Sequence, residues 1–403
     1  MNHTNRSKRA SKSIYSLTAA VFALVLLATP TVIAQVESSR DWRYWPFSRS
    51  SPWNVPIGSG AIYTPVPLLA SIPVGINYNG CWTSAIVIAT DSDPLVPILF
   101  GPASGPQSMW NFLYNGGKTC GNDIAIETEL KNRASPLLPY PANYYSTLAK
   151  PDTTAWLLPT DYRQASVNYQ SAVRLPPNAC PSPDTDALMA VFQTDGRVLD
   201  TINTVVTSAG PILTSMASYV DARGDGTGYS NGRRASMIPS FAGLIRKGEI
   251  KSGRIPHALA ALASANLLKT EAVWPAFAFD RNAGYSGTLP MGTLLAIPPL
   301  TDIRSLGLSP QGLTIARAAQ DYGVYLVDRG GGGLQFLAEL GDPDIRWEGT
   351  ATTPPWWGDL EIIKNALQQV ANNSAATPGG GGTPRAPLAP AFYTKTPSNL
   401  RLQ

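Results

Sequence analysis

The chain has 403 residues, of which 31 are Lys or Arg and 27 are Asp or Glu, so its formal net charge is +4 at pH 7. Four of the basic residues and none of the acidic ones lie in residues 1–34, so the remainder carries equal numbers of both signs. Nucleic-acid binding rests on an excess and clustering of Lys and Arg, so this composition excludes a nucleic-acid partner. The 35 Gly, 36 Pro and 14% charged residues favour short strands joined by turns.

The first 34 residues have the pattern of a secretory signal peptide. A basic stretch at residues 6–12 precedes the apolar run AAVFALVLLA, and small or apolar residues lead to a cleavage site before Gln35. An uncleaved membrane anchor is the alternative, but Pro30 breaks the run and its pure core is short for a transmembrane helix. We therefore expect a secreted or periplasmic protein with no membrane span after signal cleavage.

The rest of the chain divides into one domain and a tail. Residues 35–371 contain neither an internal repeat nor a linker, and we expect them to form a single β-rich domain and a monomer. Residues 372–403 are rich in Gly, Pro, Ser and Thr, and this composition predicts a disordered tail. The fold class that fits is mainly β, a β-sandwich or jelly-roll-like domain with a few appended helices.

The predicted elements follow one another as short apolar runs and two helices. In chain order, strands are expected at residues 84–91, 95–100, 187–192, 272–279, 292–298 and 323–328. A helix is expected between the last two strands, with Ser309 as N-cap, Pro310 at its first position and Gly323 beyond its end. A second helix is expected in WGDLEIIKNALQQVAN, residues 357–372, where apolar residues recur on one face.

Three cysteines, Cys81, Cys120 and Cys180, lie in turn-like sequences. Export to an oxidising compartment predicts one disulfide, and the flanking residues permit any pairing. We take Cys81–Cys120 as the expected pair, which leaves the third thiol unexplained. A catalytic cysteine beside His257 is the sharper alternative, which the surrounding Pro and Gly residues disfavour.

Two further motifs fit the residues only loosely. GYSNG at residues 228–232 matches the G-x-S-x-G serine-hydrolase motif, but neither a buried strand nor a clear helix flanks Ser230. Asp221 and Asp225 occupy two places of an EF-hand-like calcium loop whose remaining ligands are poor. We therefore expect no cofactor, with a calcium site near these aspartates as the open alternative, and the dispersed cysteines and single histidine give no zinc-ligand spacing.

The remaining chemistry consists of carboxylates, aromatic residues and His257. Carboxylate pairs hydrolyse glycosidic bonds, whereas a His or Tyr can move the proton in eliminations on uronic acids. Aromatic clusters at residues 41–47, 51–54 and 353–359 offer flat faces for sugar rings, although a β-rich core uses Trp as well. These residue types together favour an extracellular polysaccharide as the partner.

Four motifs carry a resemblance to a known group of proteins. SPWN, GLIRKGEIKSGRIPHAL, WPAFAFD with MGTLLAIPP, and ARAAQDYGVYLVD occur in this order. The chain resembles a group of secreted bacterial β-rich, carbohydrate-associated proteins of unestablished activity, over residues 48–340. The resemblance implies an extracellular location and the same fold class more than it implies a reaction.

The resemblance also suggests site residues and one departure. Members of the group carry a histidine where this chain has Ala187, after Asp186, while Asp200 keeps an acidic position. The motif around His257 is the most specific part of the resemblance, which implies a proton shuttle or ligand there, and a structural core histidine is the alternative.

The candidate site combines these positions with neighbouring polar and aromatic residues. His257, Asp200 and Asp280 are the candidate catalytic residues, and a turn role is favoured for Asp328 over a place in the site. The candidate substrate-binding residues are Arg254, which could bind a uronate carboxylate, Trp274, Tyr285 and Trp53.

Two functions stay open at this point. The first is a glycoside hydrolase or polysaccharide lyase that uses Asp200, Asp280 and His257. The second is a non-catalytic carbohydrate-binding or cell-envelope structural protein. Convergence of the three side chains on one groove would favour catalysis, and their separation would favour binding or structure.

Overall fold

The computed structural model describes residues 39–80, 82–102, 105–134, 148–149, 172–208, 210–280, 284–345 and 355–393. The predicted signal peptide, residues 1–34, and Cys81 lie outside these residues. Strands outweigh helices among the described residues, and these belong to one compact unit, so the prediction of a mainly β single domain is confirmed. Within the described part of the chain, no helix is long and apolar enough to cross a membrane.

The strands are short, as the dense Gly and Pro content predicts. They are β1 Tyr63–Pro65, β2 Val74–Asn77, β3 Ala85–Ile88, β4 Leu95–Val96, β5 Ile98–Phe100, β6 Leu148–Ala149, β7 Val173–Arg174, β8 Met189–Phe192, β9 Arg197–Ile202, β10 Val205–Val206, β11 Ile212–Thr214, β12 Met216–Asp221, β13 Leu259–Ala263, β14 Leu268–Ala272, β15 Phe279–Asp280, β16 Leu289–Met291, β17 Leu294–Ala296, β18 Val324–Arg329, β19 Leu334–Leu337 and β20 Gln368–Val370. The α-helices are Met109–Tyr114, Ile124–Arg133, Glu249–Ser252, Pro310–Asp321 and Gly358–Ala366.

The largest sheet has seven strands in the order β1-β20-β17-β18-β13-β19-β2 and mixes parallel with antiparallel pairs. Its central strands are buried on both faces because apolar residues follow one another without interruption. Leu259 and Ala261 of β13 join one core cluster, while Ala260 and Leu262 join a second cluster on the opposite face. The side-chain period of two therefore divides one apolar run between two cores.

The helix Pro310–Asp321 packs in the first of these clusters and begins as predicted. Ser309 is its N-cap, and the Ser309 hydroxyl accepts a hydrogen bond from the backbone N–H of Gly312 at 3.1 Å. The helix ends at Asp321, and Gly323 takes a left-handed φ of 87° before β18 begins. This element was predicted because capping, proline placement and periodicity all agree.

The second predicted helix is shorter than its pattern indicated. It ends at Ala366, and residues 368–370 form β20 instead of further helical turns. β20 lies between β1 and β17 and bonds to both, so sheet pairing overrides the helical periodicity of LQQV. The predicted strand 272–279 also fails over most of its length, because only Ala272, Phe279 and the following Asp280 belong to strands.

A four-stranded sheet, β12-β9-β8-β3, faces the other side of the seven-stranded sheet. Phe192 and Val198 from this sheet share the second core cluster with Tyr325 of β18. Trp53 fills the space between them, with its ring centroid 5.2 Å from that of Tyr325. The opposite face of the four-stranded sheet packs on Ile98 and neighbouring residues of a third sheet, β10-β11-β5. The described residues are therefore layered, and the helices Pro310–Asp321 and Met109–Tyr114 pack against the outer faces of the sheets.

The Gly-rich segment after residue 371 is part of the domain, and the predicted disordered tail is wrong for residues 372–393. The backbone N–H groups of Gly58 and Gly60 donate to the carbonyl oxygens of Gly379 and Gly381, each at 2.9 Å. A Cβ atom at Gly58 would lie 2.0 Å from the Gly381 oxygen, so glycine permits this close approach. The high glycine content of this segment therefore permits close packing of two backbone segments and does not indicate disorder.

The predicted disulfide has the wrong partner. Cys120 is bonded to Cys180, with 5.9 Å between their Cα atoms, and the pairing of Cys120 with Cys81 is therefore corrected. Cys120 forms an isolated β-bridge with Val206, and the Val206 N–H donates to the carbonyl oxygen of Thr119. The hairpin of β10 and β11 therefore holds Cys120 beside Cys180. The loop sequences around the cysteines do not show that Cys120 and Cys180 lie close together.

Candidate functional site

A cavity of about 480 Å³ opens where the edges of several strands meet. Its walls contain three aspartates, three arginines and one tryptophan, with glycines at the rim. The lining residues are Trp82, Asp186, Ile202, Met216, Gly232, Arg233, Arg234, Ala235, Met237, Asp280, Asp328, Arg329, Gly330 and Gly331. Charged groups of both signs in a concave site make this cavity the candidate functional site.

Each aspartate reaches the cavity from the end of a strand or from just before one. Asp328 and Asp280 lie at or near the carboxyl ends of β18 and β15, and Asp186 lies three residues before β8. The apolar runs before Asp328 and after Asp186 are buried in the two sheets, so the polar residues fall where the strands leave the core. Asp328 and Asp186 are therefore positioned by the packed strands next to them.

Arg234 is the buried cation of this site. Its guanidinium donates to the carbonyl oxygens of Trp82 and, at 2.8 Å, of Ser240. Burial lowers the pKa of Arg234, while the charges of Asp328 and then Asp200 act against that loss. An arginine keeps its proton in such a setting, so Arg234 is a fixed positive charge behind the carboxylates.

The three carboxyl groups hold their protons more tightly than free aspartates do. Burial, assisted by the negative charge of Asp280, raises the pKa of Asp328 to about 7. Burial and the charge of Asp184 raise the pKa of Asp186 to about 6, against the opposing charge of Arg234. Burial also raises the pKa of Asp280. At neutral pH the cavity therefore contains both protonated and ionised carboxyl groups.

Tyr285 contacts this cluster through its hydroxyl. The Tyr285 hydroxyl lies 3.4 Å from Oδ2 of Asp280 and can donate to it, and this contact acts to lower the pKa of Asp280. Burial, with the charges of Asp280 and Asp328, raises the pKa of Tyr285 above its ordinary value. Tyr285 is therefore a neutral hydrogen-bond donor at neutral pH and is poorly suited to act as a base.

Asp200 lies behind the cavity wall with its oxygens already occupied. Its Oδ2 accepts from the backbone N–H of Ser240 at 2.9 Å and from that of Arg233 at 3.1 Å, and its Oδ1 accepts from the Ser240 hydroxyl. Asp200 is fully buried, and burial raises its pKa against the hydrogen bonds of Ser240. The arrangement ties the turn that carries Arg233 and Arg234 to β9, so Asp200 positions cavity residues instead of contacting a ligand.

His257 is held elsewhere, outside the cavity lining. Its Nε2 lies 3.1 Å from Oε1 of Glu249, and its Nδ1 lies 2.9 Å from the carbonyl oxygen of Ala258. Burial acts to lower the pKa of His257, but the charge and hydrogen bond of Glu249 raise it overall. The structure therefore does not bring His257 together with Asp280, and its two acceptors support a structural role.

The candidate substrate-binding residues are also dispersed. Arg254 lies over the ring of Trp45, 5.5 Å from its centroid, and Trp53 is 1% exposed, with its Nε1 donating to Gly226 O at 2.8 Å. Trp274 is half-buried and, like Arg254 and Trp53, is not among the residues that line the cavity, whereas the Tyr285 hydroxyl contacts Asp280. The aromatic face that the cavity offers belongs to Trp82.

Ala187 points into a core cluster away from the polar groups. It is fully buried, takes a φ of 42°, and belongs to a cluster that includes Met109 and Leu113. Its backbone N–H donates to Oδ1 of Asp184 at 2.7 Å. Asp186, one residue earlier, lines the cavity, so the chain turns sharply between a polar and an apolar environment at this position.

The serine and calcium motifs form local turns. The Ser230 hydroxyl donates to Oδ1 of Asp225 at 3.2 Å, and the same oxygen accepts from Thr227. Asp221 is paired with Arg223 at 3.4 Å. Within the described residues, no group of three or more His, Cys, Asp and Glu is placed to hold a metal ion.

Sequence reasoning missed the arginines and Trp82. Arg233 and Arg234 directly follow the GYSNG motif, and their only signal in the sequence is two adjacent positive charges in a chain with few charged residues. Their role depends on Asp200, 33 positions earlier for Arg233, which no local pattern connects to them. The chain matches no protein-family model, no curated protein and no solved structure.

Proposed function

We propose that this protein is an exported glycoside hydrolase that cleaves an extracellular polysaccharide in the cavity of Asp186, Asp280 and Asp328. The observation that carries the proposal is the shared cavity of Asp280 and Asp328, in which the charge of Asp280 helps to raise the pKa of Asp328. Glycosidic hydrolysis requires one carboxylic acid to protonate the leaving oxygen and one carboxylate as nucleophile or base. A cavity that places Asp280 beside an Asp328 whose pKa is raised to about 7 offers one carboxyl group for each role.

The surrounding residues support the division of roles. Asp328, whose pKa is raised to about 7, is the proton donor in this proposal. Asp280 is the nucleophile or base in this proposal, because the Tyr285 hydroxyl and the charge of Arg329 both act against the rise in its pKa that burial causes. Trp82 supplies the flat face on which a sugar ring stacks. His257 has no part in the reaction, and an elimination is disfavoured because Tyr285 keeps its proton.

The extracellular setting rests on two sequence features and one bond. Residues 1–34 have the signal-peptide pattern, and the mature composition lacks the basic excess of nucleic-acid-binding proteins. The Cys120–Cys180 disulfide is a bond that persists in oxidising compartments. These features support secretion to the place where polysaccharides are found.

The decisive experiment measures new reducing ends and unsaturated products on a panel of neutral and uronate polysaccharides. Asp328→Asn and Asp280→Asn should each lower turnover by about 10²–10⁴-fold, the usual contribution of a positioned acid or base. Asp195→Asn is the matched control, because Asp195 is half-exposed, pairs with Arg197 and lies outside the cavity lining. His257→Gln should retain turnover if it folds.

The result also separates hydrolysis from binding alone. Turnover that yields reducing ends without ultraviolet-absorbing products supports hydrolysis, whereas unsaturated products would point to a lyase. Retention of a polysaccharide by wild type without turnover would overturn the hydrolase and favour the carbohydrate-binding hypothesis. Equal activity of Asp328→Asn and Asp195→Asn would remove the cavity from the mechanism.

A further inference from the structure

Three arginines line the cavity, and one of them differs in its surroundings. Arg234 donates to Trp82 and Ser240, and Arg233 donates to the carbonyl oxygen of Asn231. Arg329 is exposed, and within the described part of the chain its guanidinium makes no hydrogen bond or ion pair. Its charge acts on Asp280, where it favours the ionised carboxylate. Arg329 is thus a cavity cation whose donors are open to a ligand.

The backbone holds Arg329 at a defined place. It is the last residue of β18 and pairs in register with Ala263 of β13, and the next N–H, from Gly330, donates to Ala263 O at 3.0 Å. Gly330 and Gly331 continue the cavity rim without side chains of their own. The exposed Arg329 side chain therefore leaves the sheet at a fixed strand end, in the lining of the same cavity as the aspartates.

The charge balance of the cavity favours an anionic ligand at Arg329. Asp186 and Asp328 are partly protonated near neutral pH, so they repel a second anion less than ordinary aspartates would. A neutral sugar needs no guanidinium, whereas the planar fork of arginine matches a carboxylate with two parallel hydrogen bonds.

Building on the proposed function, we propose that the substrate is a polysaccharide containing uronic acid residues, and that Arg329 binds a carboxylate of the sugar beside the scissile bond. Arg329 is then the residue that selects acidic over neutral chains. Arg254, which the sequence suggested for this task, stacks on Trp45 instead.

The test compares polygalacturonate and alginate with their carboxyl-reduced forms, which keep the linkages and lose the charge. Turnover and retention in affinity electrophoresis are measured for wild type, Arg329→Gln and Arg329→Lys. Arg304→Gln is the matched control, because Arg304 is also exposed, its guanidinium makes no hydrogen bond or ion pair within the described residues, and it lies outside the cavity lining. Circular dichroism and thermal unfolding confirm that each variant is folded.

We expect an acidic polymer to be processed or retained at least tenfold better than its reduced form. Arg329→Gln should lower that preference about 10- to 100-fold, the range expected for a charge-assisted hydrogen bond. Turnover of the reduced polymer should also fall, because Asp280 loses the charge of Arg329, but it should fall less than turnover of the acidic polymer. Arg329→Lys should restore part of it, and Arg304→Gln should match wild type.

Other outcomes distinguish failure of the uronate inference from failure of the proposed hydrolase function. Equal processing of acidic and reduced polymers, or an equal loss on both in Arg329→Gln, would overturn the uronate inference and leave the hydrolase standing. Neither turnover nor retention of any polymer would overturn both.

Discussion

Ser240 donates two hydrogen bonds to the Asp200 carboxylate: its backbone N–H donates to Oδ2 at 2.9 Å, and its hydroxyl donates to Oδ1. The Ser240 hydroxyl also lies 3.0 Å from that of Ser84, just before β3. The carboxylate therefore joins β9 and the edge of the four-stranded sheet to the turn that carries Arg233 and Arg234. Asp200 is fully buried and accepts three hydrogen bonds, so it supports the fold and presents no exposed oxygen to a substrate.

We predict that Asp200→Ala lowers the free energy of unfolding by about 2–4 kcal/mol, because it leaves the buried donors of Ser240 and Arg233 without an acceptor. Urea denaturation measures this loss. Ser240→Ala removes one donor and should cost about 1–2 kcal/mol. If either variant instead kept full stability and lost turnover at the chemical step, Asp200 would be catalytic after all.

The stability of the domain should fall as pH rises through the range in which Asp328 ionises. Its folded pKa is about 7, above the ordinary value of an aspartate, so the folded state binds more protons than the unfolded state between these values. Asp328→Asn cannot ionise and should therefore gain stability relative to wild type from pH 4 to pH 7, by up to about 4 kcal/mol, since one pKa unit corresponds to about 1.4 kcal/mol.

The measurement is a series of urea midpoints at fixed ionic strength for wild type, Asp328→Asn and the control Asp195→Asn. A constant difference between Asp328→Asn and wild type at every pH would contradict a raised folded pKa. In the same series, turnover by wild type should decline on the alkaline side as the proton donor is lost.

His257 should stabilise the domain most strongly in acid. Its folded pKa is raised by Glu249, so the stabilisation is fully present below the unfolded pKa and is lost as pH rises through the folded pKa. His257→Gln should therefore be destabilised by on the order of 1 kcal/mol or more at pH 5.5, with a smaller deficit at pH 9. Thermal unfolding at these two values tests it, and Glu249→Gln should reproduce the trend.

Reduction of the disulfide should destabilise the domain without removing the fold of its core. The bond joins residues 60 positions apart, and the chain-entropy model assigns such a loop about 4 kcal/mol. Cys180→Ser should lower the urea midpoint accordingly, and a non-reducing digest should yield one peptide pair linked through Cys120 and Cys180. A linked pair containing Cys81 and Cys120 would contradict this assignment.

Local signals predicted the elements that satisfy several requirements at once. Ser309, Pro310 and the apolar period agree on one helix, and the run GVYLVD is too apolar to lie anywhere except between two buried faces. The segment 368–370 was misassigned because its partners, β1 and β17, lie about 305 and 74 positions earlier in the chain. Propensity cannot anticipate pairings at such separations.

The site was only partly predictable for the same reason. Asp280 could be named because it ends the motif WPAFAFD, which is part of the resemblance, whereas for Asp328, near the end of the run GVYLVD, the sequence favours a turn role. His257 drew attention as a rare residue, yet its role is set by Glu249, eight positions earlier. The Arg234 guanidinium donates to the Trp82 carbonyl oxygen, although the two residues are 152 positions apart in the sequence. This contact exists only once the sheets have assembled, so no local pattern predicts it.

The two edges of the described domain meet: Arg40 N–H donates to Ala391 O at 2.8 Å, and Tyr393 N–H donates to Arg40 O at 3.0 Å. Together with the glycine contacts near residue 58, this closes a loop of some 350 residues. Such a closure carries a high entropic cost, so these segments should dock late in folding. A short peptide joining residue 393 to residue 39 would make that contact local, and the domain should then tolerate new chain ends at an exposed turn such as the one around Gly307.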